Sequence, residues 1–168
     1  MNTNKQSGFS LIELLIVVAV IGIIASIAVP NLLSSRRAAN EASALATLRV
    51  ISSSEATYQS TAGAGSFGNL AALGTHNMVD QVVAAASIGG GTPKSGYLFS
   101  AQNILGVGVA AYDAKSQPSM HTSVSTIGGT GSRSFLVTES GVMYYNSTAT
   151  APTCTADSSR TKTGFVFN

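Results

Sequence analysis

The chain contains few of the residues that covalent cross-linking or charge recognition requires. It has one cysteine and no tryptophan in 168 residues, and only 10% of its residues are charged, against roughly one quarter in ordinary soluble domains. A lone cysteine, Cys154, excludes an intrachain disulfide and leaves its own chemical state open. The formal net charge is +2, and no basic cluster exceeds Arg36 and Arg37, which argues against nucleic-acid binding.

Catalytic and metal-binding patterns are also missing from the sequence. His76 and His121 have no carboxylate at ligand spacing, and the acids Asp113 and Asp157 are scattered. No HExxH or GxSxG motif occurs, and the three glycines at 89–91 lack the lysine that a phosphate-binding loop requires. We therefore predict no enzymatic activity, no cofactor and no metal site.

The dominant feature that is present is an apolar run from Phe9 to Val29, which one charged residue, Glu13, interrupts. As a helix this run would be roughly 31 Å long, enough to cross a bilayer. A carboxylate at the centre of such a segment costs about 2.5–3.5 kcal/mol on insertion scales, so its presence indicates a function or a partner. A short polar leader, residues 1–8, precedes the run.

Glu13 would gain a partner if the chain were cut between Gly8 and Phe9. The new α-amine would lie one helical turn from Glu13, near the positive end of the helix dipole, and the α-amine of a neighbouring chain would be a still better partner. Two other interpretations stay open. Glu13 lies solvated at the headgroup boundary, or the run is a secretory signal peptide cleaved after Ala28, which Glu13 and Pro30 fit poorly.

The stretch Gly8-Phe9-Ser10-Leu11-Ile12-Glu13-Leu14, with the apolar run and Pro30 behind it, resembles the N-terminus of type IV prepilins and of the related type II secretion pseudopilins. The resemblance covers about the first 50 residues. It implies that a membrane prepilin peptidase cuts after Gly8 and N-methylates Phe9 with S-adenosylmethionine. It also implies that Glu13 pairs with the N-terminus of an adjacent subunit during assembly. The single cysteine departs from the many type IV pilins that have a C-terminal disulfide.

The helical pattern continues beyond Pro30. Apolar residues recur at a spacing of three and four, at Ala38, Ala42, Leu45, Leu48 and Ile51, with Tyr58 two turns later. The charged residues mostly flank this stripe, namely Arg36, Arg37, Glu41, Arg49 and Glu55. We predict one helix over residues 9–61, with an assembly half at 9–29 and an amphipathic half at 30–61. Gly22 and Pro30 favour a kink, and the resemblance implies that the helix between them can melt within a filament.

Residues 62–168 are predicted to form a globular head, which gives an α+β fold similar to that of pilins. Short helices are predicted at 69–73 and 79–87, and antiparallel strands at 96–102, 106–112, 133–138 and 142–145, with a turn at Asn103 and an edge strand at 164–168. Laying the sheet on the amphipathic helix would bury both apolar faces. The predicted sheet core consists of Leu98, Val107, Val109, Phe135, Val137, Val142 and Tyr144.

These observations favour a structural subunit of a type IV pilus-like filament, assembled through its N-terminal helix. By the resemblance, its partners are other copies of itself, the prepilin peptidase and an assembly platform in a bacterial inner membrane. The precursor would cross that membrane once with its head in the periplasm, and the filament would lie at the cell surface or in the periplasm. Charge does not decide the orientation, because Lys5 opposes Arg36 and Arg37. A type II secretion pseudopilin, and a membrane-anchored binding or enzymatic domain, remain as alternatives.

Overall fold

The computed structural model describes residues 8–103, 112–118, 129–147 and 165–166. The chain divides into two compact units, Met1–Arg36 and Arg37–Asn168. The predicted α+β class is confirmed, since one long helix and two short helices are followed by an antiparallel sheet. Several predictions concern residues outside the described ranges: most of the leader, Val107, Val109, His121, Cys154 and Asp157.

The long helix, α1, spans Leu11–Ser60 and has Pro30 inside it. It begins two residues later and ends one residue earlier than the sequence predicts. Pro30 carries no N–H, so the carbonyl of Ser26 loses its usual helical donor. The helix nevertheless continues through this point without interruption.

The part of α1 in the second unit buries one face. The buried residues recur at helical spacing, at Glu41, Ala44, Leu45, Thr47, Leu48, Ile51, Ser54 and Glu55. The predicted stripe is right at Leu45, Leu48 and Ile51, and Tyr58 is half-buried, but Ala38 and Ala42 are exposed. The face is therefore rotated from the predicted one.

Glu41 and Glu55, which the sequence placed beside the stripe, lie within the buried face. This correction has a simple geometric cause. Glu41, Leu48 and Glu55 are each seven residues apart, so the helix brings all three to nearly the same side.

Two short helices follow, each with a side-chain cap at its start. Helix α2 spans Leu70–Thr75, and Asn69 Oδ1 accepts a hydrogen bond of 2.8 Å from the backbone N–H of Ala72. Helix α3 spans Gln81–Ala85, and Asp80 Oδ1 accepts one of 3.2 Å from Val82 N–H. Helix α2 ends two residues beyond the predicted range 69–73, and α3 lies inside the predicted range 79–87. Both caps satisfy backbone N–H groups that the start of a helix leaves unpaired.

The sheet has five antiparallel strands in sequence order, β1 to β5. They are β1 Tyr97–Asn103, β2 Tyr112–Pro118, β3 Ser134–Thr138, β4 Met143–Asn146 and β5 Phe165–Val166. A tight turn joins β3 to β4, where Gly141 has φ 71° and its N–H donates to Thr138 O at 2.8 Å. The fifth strand lies inside the segment predicted as an edge strand, so the sheet has one strand more than the four-stranded core of the prediction.

The predicted partner of β1 is wrong. The sequence placed it at 106–112 after a turn at Asn103, whereas β1 pairs with Tyr112–Pro118, and Asn103 lies opposite Tyr112 in the ladder. The actual strand, YDAKSQP, is polar, and its Asp113 and Lys115 break the apolar alternation by which a strand is predicted. Residues 104–111 are outside the described part of the chain.

The face of β1 was also assigned wrongly. The core receives Tyr97, Phe99 and Ala101, while Leu98 is half-buried. In β4, Met143 is buried, Tyr144 is half-buried and Val142, just before the strand, is exposed. Side chains alternate along a strand, so an error of one residue exchanges the two faces. Phe135 and Val137 are buried as predicted.

Candidate functional site

The N-terminal segment begins as a non-helical stretch, Gly8 to Ser10, directly before α1. The carbonyl of Ser10 accepts hydrogen bonds from the N–H groups of Glu13 at 3.1 Å and Leu14 at 3.3 Å, which closes the first turn of the helix. Phe9 is 84% exposed. The peptide bond between Gly8 and Phe9 therefore lies outside the helix.

Glu13 lies in the first turn of α1 and is exposed. A carboxylate here interacts favourably with the unpaired N–H groups at the helix start. The ion pairs that the described ranges contain involve Asp80, Asp113 and Glu41, not Glu13. Within that part of the chain the carboxylate has no basic partner, so it is available to a group from another molecule.

The first unit exposes a continuous apolar surface. Large aliphatic side chains are exposed all round the helix from Leu11 to Leu33. In the described part of the chain, α1 is the helix that is long and apolar enough to cross a membrane, by length and composition. Such a helix needs lipid, or other apolar helices, around it.

Gly22 and Pro30 both lie within the helical part of this segment. Apart from the adjacent residues and the helix's own backbone, no atom lies within 4 Å of a Cβ placed at Gly22, so the helix surface is open there. Ser26 Oγ donates to the carbonyl of Ile23 at 2.7 Å, and Ser35 Oγ donates to that of Asn31 at 3.0 Å. Hydrogen bonds from serine hydroxyls to helix carbonyls slightly destabilise and bend a helix. These two lie on either side of Pro30, which lacks the backbone N–H donor. The predicted melting between Gly22 and Pro30 concerns a filament and stays a prediction.

In the second unit, Glu41 fixes the loop that leads into β3. Its Oε1 accepts hydrogen bonds from the backbone N–H of Ser132 at 2.8 Å and from Ser132 Oγ at 2.7 Å. Its Oε2 accepts from Arg133 Nε at 2.9 Å and pairs with Arg133 Nη2 at 2.7 Å. Burial alone would raise the pKa of Glu41, but the hydrogen bonds from Ser132 and Arg133 outweigh it and hold that pKa below its usual range.

Neighbouring contacts hold the same loop. Asn40 Nδ2 donates to Thr130 O at 2.8 Å, and Tyr97 Oη donates to Arg133 O at 2.7 Å. The Arg133 guanidinium lies 5.8 Å from the ring centre of Phe135 and 5.9 Å from that of Tyr145. Together these contacts bind one turn of α1 to the start of β3, which positions the sheet on the helix.

Glu55 is the second buried acid on this face of α1. Its exposed fraction is 0%, and its Oε2 accepts a hydrogen bond of 2.8 Å from Gly68 N–H. Its Oε1 is buried without a hydrogen-bond partner. Burial raises the pKa of Glu55 to about 7, and the bond from Gly68 lowers it only in part. Its spacing of two heptads from Glu41, with Leu48 midway, is the sequence signal that could have revealed its burial.

The remaining candidate residues do not converge on a reactive centre. His76 is exposed, and its ring lies 5.5 Å from that of Tyr58 in an edge-to-face arrangement. Across the described ranges, no three His, Cys, Asp or Glu side chains lie close enough together to hold a metal ion. The candidate site of this chain is therefore the segment from Gly8 to Pro30.

Comparison with known proteins addresses this segment directly. Residues 3–29 match the family model described as the prokaryotic N-terminal methylation motif. The chain carries a prepilin-type N-terminal methylation motif. That motif contains Phe9, Glu13 and Gly22 and ends one residue before Pro30.

Two kinds of curated protein are similar to a part of this chain. The type II secretion system core protein G of Escherichia coli K12 is 42% identical over 43 residues, which are 26% of this chain and 30% of that protein. The wide pilus major component PilA4 of Thermus thermophilus is 54% identical over 37 residues, 22% of this chain and 28% of that protein. Core protein G of Aeromonas hydrophila is 40% identical over 45 residues, 27% and 32% of the two chains.

Each similarity covers at most 27% of this chain, and the chain matches less than a third of the length of these three relatives. No solved structure matches the chain significantly.

Proposed function

We propose that this protein is the structural subunit of a type IV pilus-like filament, processed by a prepilin peptidase and assembled through its N-terminal helix. One observation carries the proposal: a methylation motif of the prepilin type covers the first part of α1, residues 11–29, whose apolar side chains are exposed all round and whose one acid, Glu13, is unpaired within the described chain. A lone anchor needs no such acid, whereas a bundle of helices can use it to set register.

The proposed cleavage and assembly sites are those that the resemblance to prepilins implies. Residues 1–8 form the leader, the cut falls between Gly8 and Phe9, and the new α-amine of Phe9 is methylated. Glu13 then pairs with the amine of a neighbouring subunit, in a low-dielectric environment where such a pair is strong. Gly22 and Pro30 mark the stretch of helix that loses regular structure in the filament.

The proposed partners are other copies of the chain, the prepilin peptidase and an inner-membrane assembly platform. The precursor crosses the inner membrane once with its head in the periplasm, and assembly carries the subunit into a filament. No catalytic role is proposed. Since relatives of both kinds match part of the chain, a type II secretion pseudopilin is the second candidate function.

Mass spectrometry of the N-terminus of sheared surface filaments tests the proposal. We expect a chain that starts at Phe9 and carries one added methyl group. In a Gly8→Val variant we expect the uncut precursor in the membrane fraction and no filaments. A cleaved chain that stays in the periplasm and supports protein secretion would favour the pseudopilin, and a wild-type chain that keeps residues 1–8 would overturn both.

A further inference from the structure

The second unit contains a cleft of about 630 Å³, here called the β1 cleft. One side is the segment from Phe67 to Ala72, which leads into and forms α2, and the other side is the end of β1 from Ser100 to Asn103. Tyr58, Ser87 and Ile88 complete the lining. A cleft of this volume lies in the usual range of binding sites. None of the lining residues that are described carries a charge.

The backbone of β1 presents an edge to this cleft. On the side away from β2, Phe99 N–H donates to Ala86 O at 2.6 Å, and Ile88 N–H donates to Phe99 O at 2.8 Å. Backbone groups of a strand alternate in direction, so Ala101 and Asn103 point to the same side as Phe99. Their N–H and C=O groups therefore point away from β2.

The segment that pairs with Phe99 does not continue along this edge. Gly89 and Gly90 adopt φ values of 107° and 147°, which only glycine reaches without strain, and they turn the chain away after Ile88. Within the described ranges, the backbone bonds outside helices and strands include none to Ala101 or Asn103.

The side chain of Asn103 also has an unpaired polar atom, at the end of the cleft. Its Nδ2 donates to Phe67 O at 2.8 Å, which ties β1 to the opposite wall, while its Oδ1 is buried without a hydrogen-bond partner. Buried backbone and amide groups are nearly always paired in folded proteins, so an unpaired set at one place indicates a missing partner.

We propose that the β1 cleft binds an extended, uncharged segment of a second copy of this chain, which adds to the β1 edge at Ala101–Asn103. Strand addition satisfies an open edge through main-chain hydrogen bonds, and the uncharged lining favours a strand without charged side chains. The chain supplies such segments, since residues 119–128 and 147–156 contain no Asp, Glu, Lys or Arg. Ala101 is 3% exposed and lies at the floor of the cleft, so the strand enters the cleft rather than crossing its mouth.

This inference rests on the proposed function only in that filament assembly brings a second copy close. The test places a photoreactive amino acid at position 102, where Gln102 is exposed at the rim of the cleft. Filaments are made from equal amounts of chain labelled with light and heavy nitrogen and are then irradiated. Mass spectrometry should find cross-linked peptides with one light and one heavy partner, the second from an uncharged segment. The same group at the exposed Val82 of α3 is the control for chance collision.

A matched pair of variants tests the hydrogen bonding. Ala101→Pro removes the outward N–H and leaves the bonds to β2, because proline is tolerated where the N–H faces away from the ladder. Ala101→Ser keeps the backbone N–H and has a side chain of similar size. With equal thermal unfolding midpoints, we expect the mixed-isotope cross-link to fall about tenfold in Ala101→Pro and little in Ala101→Ser.

Cross-links only within one chain, equal yield from positions 102 and 82, or equal yield from both Ala101 variants would overturn the inference while leaving the filament intact. If the wild-type chain forms no filament, the proposed function fails instead. The same mixed-isotope cross-link, sought in concentrated detergent-solubilised full-length chain, then decides the β1 cleft separately.

Discussion

The carboxyl group of Glu55 is fully buried and joins α1 to the backbone of Gly68 through a single hydrogen bond of 2.8 Å. Its other oxygen has no partner. Gly68 lines the β1 cleft, so this buried acid on the helix positions one wall of that cleft. Retaining a buried acid with one hydrogen bond costs stability whenever the acid is charged.

The first prediction concerns the pH dependence of stability. Burial raises the pKa of Glu55 from 4.5 to about 7. The folded state therefore holds this proton more tightly than the unfolded state, so the stabilisation is complete below pH 4.5 and is lost as the pH rises through about 7. We expect Glu55→Gln to gain on the order of 2–3 kcal/mol over the wild type at about pH 8 and little at about pH 4.

Urea unfolding of the full-length chain in detergent, followed by tyrosine circular dichroism across this pH range, measures the difference. Glu139→Gln, which changes an exposed acid in the turn after β3, serves as the control. Parallel pH profiles of wild type and Glu55→Gln would contradict the prediction.

The second prediction concerns Glu41, whose pKa is shifted the other way. Although burial opposes it, bonding to Ser132 and Arg133 lowers the pKa of Glu41, so its contribution is present above pH 4.5 and disappears as the pH falls through the lowered value. We expect Glu41→Gln to cost about 1.5–3 kcal/mol near neutral pH, because hydrogen bonds to a charged group are lost.

The control for Glu41 is Arg49→Gln, an exposed charge on the same helix that should change stability by less than about 0.5 kcal/mol. Chemical denaturation at neutral pH compares the two variants. Equal losses of unfolding free energy in the two variants would mean that the contacts of Glu41 with Ser132 and Arg133 do not stabilise the second unit.

The third prediction tests which face of α1 is buried. Ile51 has no exposed surface, whereas its neighbour Val50 is 53% exposed. We expect Ile51→Ala to lower the unfolding free energy by about 2–5 kcal/mol and Val50→Ala to change it by less than about 0.5 kcal/mol. Similar effects of the two substitutions would show that the helix face is assigned wrongly.

The fourth prediction concerns assembly. Glu13→Ala removes the one charged side chain of the exposed apolar segment, which should leave membrane insertion and cleavage intact and strongly reduce incorporation into filaments. Glu13→Asp keeps the charge and should retain part of the filament yield. Immunoblots of sheared and membrane fractions measure both steps, and a normal filament yield from Glu13→Ala would refute the pairing role.

The sequence predicted the N-terminal half of the molecule well, for a physical reason. A membrane-length apolar run and an amphipathic repeat are local patterns, and a helix forms its hydrogen bonds within the same short stretch of chain. The caps Asn69 and Asp80 of α2 and α3 are local too, and both short helices formed near their predicted places.

The strand that pairs with β1 could not be found in this way. Its residues Asp113 and Lys115 look like loop residues, and Asp113 is nonetheless 2% exposed within the sheet. A strand is stabilised by a partner that is distant in sequence, so its own composition need not identify it. The same reason explains the exchanged faces around Leu98 and Val142.

The sequence by itself determined that the chain has a prepilin-type N-terminal methylation motif, a helix able by length and composition to cross a membrane, and one acid inside its apolar run. These are properties of neighbouring residues and of the solvent they prefer. Only the tertiary structure decided that Glu41 and Glu55 are buried, that their pKa values move in opposite directions, and that β1 leaves an edge open beside a cleft. Those outcomes depend on which distant groups pack together, Ser132 and Arg133 against one acid and a single backbone N–H against the other.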